Sequence, residues 1–269
     1  MKGSQSCVFD IHYHLLFGLD DGPKTIDESL QLAEASIAEG VTHIVATPHA
    51  NDRYSFQPEV NRERLAMLQE RLGDRLTLGL GCDFHLSYEN IEDQARNPSK
   101  YTINGKQYLL VELSDFGISQ NMSSIFFEMR LQGTVPIITH PERNPTLASE
   151  QQRMAQWIAE GCLVQVTAAS LSGRFGSNAQ AMAMTFVKRN WVHLIASDAH
   201  NADRRGPSMR RAYELLKDRF GTETADRLCV ENPRAVFLGE RMPPQPEPEH
   251  MTETDQPARG GFWSRLLGK

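Results

Sequence analysis

Cys7-Val8-Phe9-Asp10-Ile11-His12-Tyr13-His14 is a short apolar run that ends in two histidines. Such a run predicts a strand, and residues two apart on a strand share a face, so His12 and His14 point the same way. The arrangement returns further along the chain. His49 follows Ile44-Val45-Ala46-Thr47, and Glu112 ends Leu109-Leu110-Val111. His140 follows Ile137-Ile138-Thr139, and Asp198-Ala199-His200 follows Leu194-Ile195-Ala196-Ser197. Each time, a metal-type ligand stands at the C-terminal end of a predicted strand. An α/β barrel gathers those ends on one face, where such folds hold their chemistry.

Helix signals fill the intervals. Thr25-Ile26-Asp27-Glu28 reads as a capping box, and Leu30, Ala33 and Ile37 recur at helical spacing until Gly40. Pro58 suits a first helical turn, with a stripe of Leu65, Leu68 and Leu72 and a stop at Gly73. Further helices are predicted over 123–132, 149–160, 178–189, 207–220 and 222–228. Strands are predicted over 7–11, 41–47, 76–80, 108–113, 135–139, 163–167 and 192–196, and Asn104-Gly105 reads as a hairpin turn. Seven strands with helical crossovers predict a parallel sheet, best accommodated in a distorted seven-stranded (β/α) barrel. The alternative, an open doubly wound sheet, lacks a Gly-rich phosphate fingerprint after the first strand.

Composition bounds the rest. Of 269 residues, 40% are hydrophobic and 23% charged, as in a soluble globular protein. A net charge of −6 without a basic stripe excludes a nucleic-acid footprint. No apolar stretch approaches the ~20 residues that span a bilayer, nothing resembles a signal peptide, and the expected location is cytoplasmic. Cys7, Cys82, Cys162 and Cys229 are too dispersed for a thiolate zinc site. Pro243-Pro244-Gln245-Pro246-Glu247-Pro248-Glu249 supports neither helix nor ladder, so the domain is expected to span 1–240, with a flexible tail over 241–269. The tail's end carries Phe262, Trp263 and Leu266 beside Arg265 and Lys269. It reads as frayed, with a short docking segment for a partner as the sharper alternative.

The predicted strand ends therefore collect His12, His14, His49, Glu112, His140, Asp198 and His200. Asp83, just past the third predicted strand at 76–80, joins them as an eighth candidate ligand. Imidazole and carboxylate without thiolate suit manganese, iron, cobalt or zinc, and eight ligands suit two or three ions. His43 and His193 lie within strands and His250 in the tail, so these three read as bystanders. Clustered ions with carboxylate bridges point to metal-assisted hydrolysis. Arg143 and Arg205, each close to a ligand in sequence, supply forks that fit phosphate oxygens. Asp20 or Asp21 could act as an acid or orient a ligand imidazole, although Asp-Gly-Pro also reads as turn chemistry.

Together, Asp10-Ile11-His12-Tyr13-His14, Asp20-Asp21-Gly22-Pro23, Thr47-Pro48-His49, His140-Pro141-Glu142-Arg143 and Ser197-Asp198-Ala199-His200-Asn201 resemble the polymerase and histidinol phosphatase (PHP) superfamily. More narrowly, they resemble its protein-tyrosine-phosphatase branch, found with bacterial capsule and exopolysaccharide genes; the small-residue loop 165–176 and Glu231-Asn232-Pro233 fit the same branch. The resemblance covers about residues 7–238. It implies three divalent ions, usually manganese, held by the eight ligands above, with Arg143 and Arg205 on the phosphate. It also implies phosphotyrosine on a bacterial tyrosine autokinase as substrate. Two features depart from the branch: Asp83 stands where glutamate is common, and the Pro-rich tail has no counterpart. A thiol phosphatase is excluded, because the residues six after the four cysteines are Tyr13, Tyr88, Ala168 and Ala235 rather than arginine. The remaining alternatives are a small-molecule phosphoesterase, such as a histidinol-phosphate phosphatase, and a binding protein built on an inactive barrel.

Overall fold

The computed structural model describes residues 8–251. Cys7, at the head of the first predicted strand, and the apolar tail segment 261–269 lie outside the described residues. The chain begins with β1 (Val8–Tyr13), α1 (Ile26–Ala38), β2 (Val41–Ala46), β3 (His49–Ala50) and α2 (Pro58–Leu72). It continues through β4 (Thr77–Leu80), β5 (Asp83–His85), α3 (Tyr88–Arg96), β6 (Tyr108–Glu112), α4 (Met122–Leu131) and β7 (Val135–Thr139). Then come α5 (Pro145–Ser149), α6 (Gln151–Ala159), β8 (Leu163–Thr167), α7 (Ala168–Leu171), α8 (Ser177–Lys188) and β9 (Leu194–Ala196). Helices α9 (Met209–Phe220), α10 (Thr222–Asp226) and α11 (Asn232–Leu238) close the domain.

All strand pairs are parallel, but they form two sheets, β1-β2-β4 and β3-β5-β6-β7-β8-β9. Against the expected distorted seven-stranded barrel, the described residues form no closed barrel and differ in two ways. Two predicted strand regions each carry a second short strand: β2 gives way to β3 across Thr47-Pro48, and β4 to β5 across Gly81-Cys82. Pro48 has no N–H to give a ladder. Thr47 instead donates its N–H to the Tyr13 carbonyl, and Gly81 donates to Ala46. Second, no ladder joins β1 to β9 among the described residues. Their edges meet at one isolated bridge, Tyr13 with Ala199, where Asp198 N–H donates to the His12 carbonyl and His14 N–H to the Ala199 carbonyl.

The predicted hairpin at Asn104-Gly105 is absent, because β5 and β6 run parallel. Asn104 takes a left-handed conformation in a 3-10 turn over Ile103–Gly105. Its amide oxygen accepts from Leu80 N–H at 3.0 Å and its amide nitrogen donates to the Phe237 carbonyl at 2.9 Å. Gly79 leaves room for that side chain: a Cβ there would sit 2.5 Å from Asn104 Oδ1. Helix α1 starts at Thr25 as read, with Oγ1 accepting from Glu28 N–H. The Glu28 carboxylate, however, takes the Lys24 N–H rather than that of Thr25.

The strands separate two apolar layers by their period of two. Leu109 and Val111 pack on the helix side, whereas Tyr108 and Leu110 join Ile11, Val45, Ile137, Leu194 and Val236 in an inner cluster. Towards the C-terminal ends this inner face turns polar: Leu110 is followed at the next same-side position by Glu112, Leu163 by Gln165, and Ala196 by Asp198. The segment after α11 has neither helix nor strand as far as Met251. It is pinned to the domain: Trp191 Nε1–H donates to the Glu249 carbonyl, Glu249 N–H donates to the Arg189 carbonyl, and the amides of Gln245 and Asn232 exchange hydrogen bonds. No described helix is long and apolar enough to cross a membrane.

Candidate active site

Three sets of ligand atoms converge at the C-terminal strand ends: His14, Asp21, His49 and His200; His12, His14 and Asp83; and His49, Asp83 and Glu112. Within each set the atoms lie within 4.8 Å of one another. His14, His49 and Asp83 each belong to two sets, so the three are contiguous. Asp83 Oδ2 lies 3.4 Å from His12 Nε2 and 3.3 Å from His49 Nδ1. Asp198 Oδ1 lies 3.6, 3.5 and 3.6 Å from His12 Nε2, His14 Nε2 and His200 Nδ1. His140 Nε2 joins through Glu112 Oε1 at 3.6 Å. All eight residues singled out from the sequence thus meet in one cluster.

The cluster has the polarity of a cation site. His12 Nε2, His14 Nε2, His49 Nδ1, Asp83 Oδ1 and His200 Nε2 are buried without a hydrogen-bond partner. Burial of so many unpaired polar atoms is costly unless a cation engages them. On three of these imidazoles the other nitrogen is already held. His12 Nδ1 pairs with Gln165 Oε1, His14 Nδ1 with Asp20 Oδ2, and His200 Nδ1 with the Asp198 carbonyl, each at 2.9 Å. Such outer contacts orient a ligand ring and leave its free nitrogen facing inward. The residues fit a group of divalent ions, with imidazole and carboxylate as the donors.

The charges are mutually adjusted. Burial opposes a charge on His12, but Asp83 and Asp198 outweigh it and lift its pKa to about 9. Burial likewise opposes charge on His49, and its contacts with Asp21 and Asp83 raise it to about 11. Burial and the neighbouring His200 lower His14 to about 4. Burial raises Glu112 to about 8, reinforced by the Asp83 carboxylate. Burial disfavours the Asp198 carboxylate, yet Arg143 and His12 hold it well below the usual carboxylate range.

Two local features build the arginine side. His140 (φ 35°) and Asp198 (φ 53°) both adopt left-handed backbone, a strained state that often marks functional positions. The turn Pro141–Arg143 carries Arg143 over the cluster, where Nη2 donates to Asp198 Oδ2 at 2.6 Å. Arg205 Nη2 donates to the same oxygen at 2.8 Å. Both arginines, with Asp21, Asp115 and six of the eight predicted ligands, line a cavity of about 260 Å³; His12 and His14 lie beneath it.

Several contributors were not legible as such. Asp21, read as an acid or a turn residue, belongs to a ligand set, with Oδ1 3.4 Å from His49 Nε2 and 3.2 Å from His200 Nε2. Asp20 serves both readings: Oδ1 accepts from Gly22 N–H, while Oδ2 meets His14 and accepts from His49 N–H. Gly22 is required there, since a Cβ would meet the His14 carbonyl at 2.7 Å. Glu142 is buried and accepts from Thr167 N–H and Ser170 Oγ–H, tying the Arg143 turn to the end of β8. Gln165 opens the loop 165–176 that fits the branch, but its pairing with His12 had no sequence signal, because that partner is 153 residues away. His85, not singled out from the sequence, ends β5 in register with Glu112. The bystander histidines stay outside: His43 stacks on Phe9 at 4.1 Å, His193 accepts from Val164 N–H, and His250 lies next to Glu249.

Comparison with known proteins agrees with this geometry. The chain is 30% identical over 246 residues to the tyrosine-protein phosphatase YwqE of Bacillus subtilis, covering 89% of this chain and 96% of that protein. It is 30% identical over 240 residues to the tyrosine-protein phosphatase CpsB of Streptococcus pneumoniae, covering 86% and 98%. A crystal structure from work on those two proteins, described there as metal-dependent tyrosine phosphatases, superimposes with a TM-score of 0.84. It shares 29% identity and covers 90% of this chain and 98% of its own. Residues 8–238 match the family model described as capsular polysaccharide synthesis, CpsB/CapC, and the chain belongs to that family.

Proposed function

We propose that this protein is a metal-dependent protein-tyrosine phosphatase acting on a tyrosine autokinase that controls capsule or exopolysaccharide synthesis. The observation that carries this reading is the joint placement of the ligand sets and two arginines on one cavity. Its relatives YwqE and CpsB are named tyrosine-protein phosphatases, which supports the substrate class. We read His12, His14, His49, Asp83, Glu112, His140, Asp198 and His200 as ligands of three ions, with Asp21 added; this thiolate-free set suits manganese, iron, cobalt or zinc, and the family resemblance points to manganese. We also read the two sheets as one interrupted barrel of seven positions, with β2/β3 and β4/β5 each counted once and the Tyr13–Ala199 bridge as its seam. On this reading the enzyme is cytoplasmic and its catalytic unit ends near residue 240.

Bound ions would polarise phosphoryl oxygens and lower the pKa of water from ~16 to about 7. The chain's own residues do the remainder. Arg143 and Arg205 bind the non-bridging oxygens and stabilise charge as it develops. Asp198 holds both guanidinium groups over the cavity. Gln165 and Asp20 keep the His12 and His14 rings oriented. The leaving phenolate, with a pKa of about 10, needs less protonation than an alkoxide, so no dedicated acid is required. The deciding experiment is elemental analysis of the purified protein coupled to a phosphotyrosine-peptide assay with and without manganese. Metal content together with chelator-sensitive turnover supports the proposal. Chelator-insensitive turnover, or a strong preference for histidinol phosphate, overturns it.

A further inference from the structure

The cavity is lined by ionisable side chains alone. It can hold a phosphoryl group, but nothing in its lining offers an apolar surface to the ring or flanking residues of a phosphotyrosine. Apolar contact must therefore come from the rim. Three aromatic residues adjoin lining residues there. Phe175 lies under the Arg143 guanidinium, with the charge 4.5 Å from the ring centre. Tyr54 stacks on His49 at 6.0 Å with planes 12° apart. Both rings thus already brace members of the site. Phe116 is the third: it follows Asp115 of the lining and is fully exposed, at 103% of the reference area.

A single exposed phenylalanine is ordinary on a protein surface. This one is presented by a loop that is braced on both sides of its tip. Asn144 Nδ2 donates to the carbonyls of Leu113 at 3.3 Å and Ser114 at 3.1 Å. Arg153 donates to the carbonyls of Ile118 and Ser119. Asn144 is the residue after Arg143, so the loop is fastened to the turn that carries the phosphate-binding arginine. Phe116 N–H bonds back to Ser114 Oγ, which fixes the tip itself.

We propose that Phe116 is a specificity-determining residue, whose ring packs on the polypeptide flanking a phosphotyrosine when the phosphoryl group enters the cavity. The inference rests on the phosphatase reading and deepens it: the substrate is a protein segment rather than a free aryl phosphate. Aromatic side chains at an interface commonly dominate its energetics, because they cover much area with few rotatable bonds.

The test compares Phe116→Ala with the wild-type, manganese-loaded full chain on a phosphotyrosine peptide and on p-nitrophenyl phosphate. The expected result is a rise in peptide KM of about five- to tenfold, with kcat and p-nitrophenyl phosphate kinetics within about twofold of wild type. Phe116→Tyr restores the peptide KM. In a second measurement, Phe116→Trp shifts its emission to the blue when a non-hydrolysable phosphonate peptide is added. An unchanged peptide KM in Phe116→Ala, or equal losses on both substrates, overturns this proposal and leaves the phosphatase reading intact. A wild-type protein that hydrolyses neither substrate removes the reading beneath it.

Discussion

Arg143 and Asp198 form an ion pair of 2.6 Å that divides the Asp198 carboxylate between two tasks. Oδ2 faces Arg143 and Arg205, while Oδ1 faces His12, His14 and His200. One aspartate thereby couples the position of the phosphate-binding guanidinium groups to the position of the imidazole cluster. The charge balance is local: burial alone disfavours this carboxylate, and the adjacent cations keep it ionised. The coupling separates residues whose loss should empty the cluster from residues whose loss should spare it.

His140 belongs to the first class. His140→Ala should abolish phosphotyrosine hydrolysis and lower metal content by elemental analysis. A variant that keeps both would remove His140 from the ligand set.

Arg143 belongs to the second. Arg143→Ala should retain metal while kcat/KM falls by an amount equivalent to about 2–4 kcal/mol, the usual loss of a preorganised donor to a developing oxyanion. Steady-state kinetics alongside metal analysis check this, and unchanged catalytic efficiency would reject the role.

Gln165 tests the outer contacts. Gln165→Leu deletes the acceptor for His12 Nδ1–H at a fully buried site. Metal affinity should fall by roughly 10- to 100-fold with folding retained, as for other residues that orient metal-bound imidazoles. Competition with a chelator measures the affinity, and an unchanged value would make Gln165 merely structural.

His193 links stability to pH. Burial and the nearby Arg227 depress its pKa to about 4, against about 6.5 for an unfolded chain. Between those values the unfolded chain binds the extra proton. The contribution is fully present above about pH 6.5 and is lost as pH falls towards about 4, on the order of 3 kcal/mol in total. Denaturant titrations of His193→Gln across this window should show a shallower acid loss than wild type. Parallel curves would rule His193 out as its source.

Removing residues 242–269 probes the pinned segment. Hydrolysis of a small aryl phosphate should survive, since no described residue of this segment lines the cavity. The bonds that join Trp191, Arg189 and Asn232 to Glu249 and Gln245 would be lost. Four such bonds are together worth about 4 kcal/mol, which lowers Tm by roughly 8–16 °C for a domain of this size. Collapse of the aryl phosphatase activity would place the segment within the catalytic fold.

The ligand set was legible because each member is a local event: an apolar run, then a histidine or acid where the strand ends. His12, His49, His140 and His200 each carry that signature, and Glu112 carries it as a carboxylate inside an apolar strand. The strand breaks were less legible, although Pro48 and Gly81 mark both of them. Asn104-Gly105 misled, since its left-handed backbone serves a 3-10 turn between parallel strands as readily as a hairpin. Asp21 was ambiguous for a similar reason, because Asp-Gly-Pro satisfies a turn whether or not the aspartate also reaches a histidine.

The amino-acid order alone determined that parallel strands alternate with helices and that metal-type ligands sit at strand ends, since periodicity and strand termination are properties of a few adjacent residues. Only the tertiary structure decided which side chains share a space: Gln165 on His12, Glu142 under Thr167, Arg143 and Arg205 on one oxygen of Asp198. Those pairings depend on how strands far apart in the chain are registered against one another, and register is set by packing of the whole inner face rather than by any local pattern.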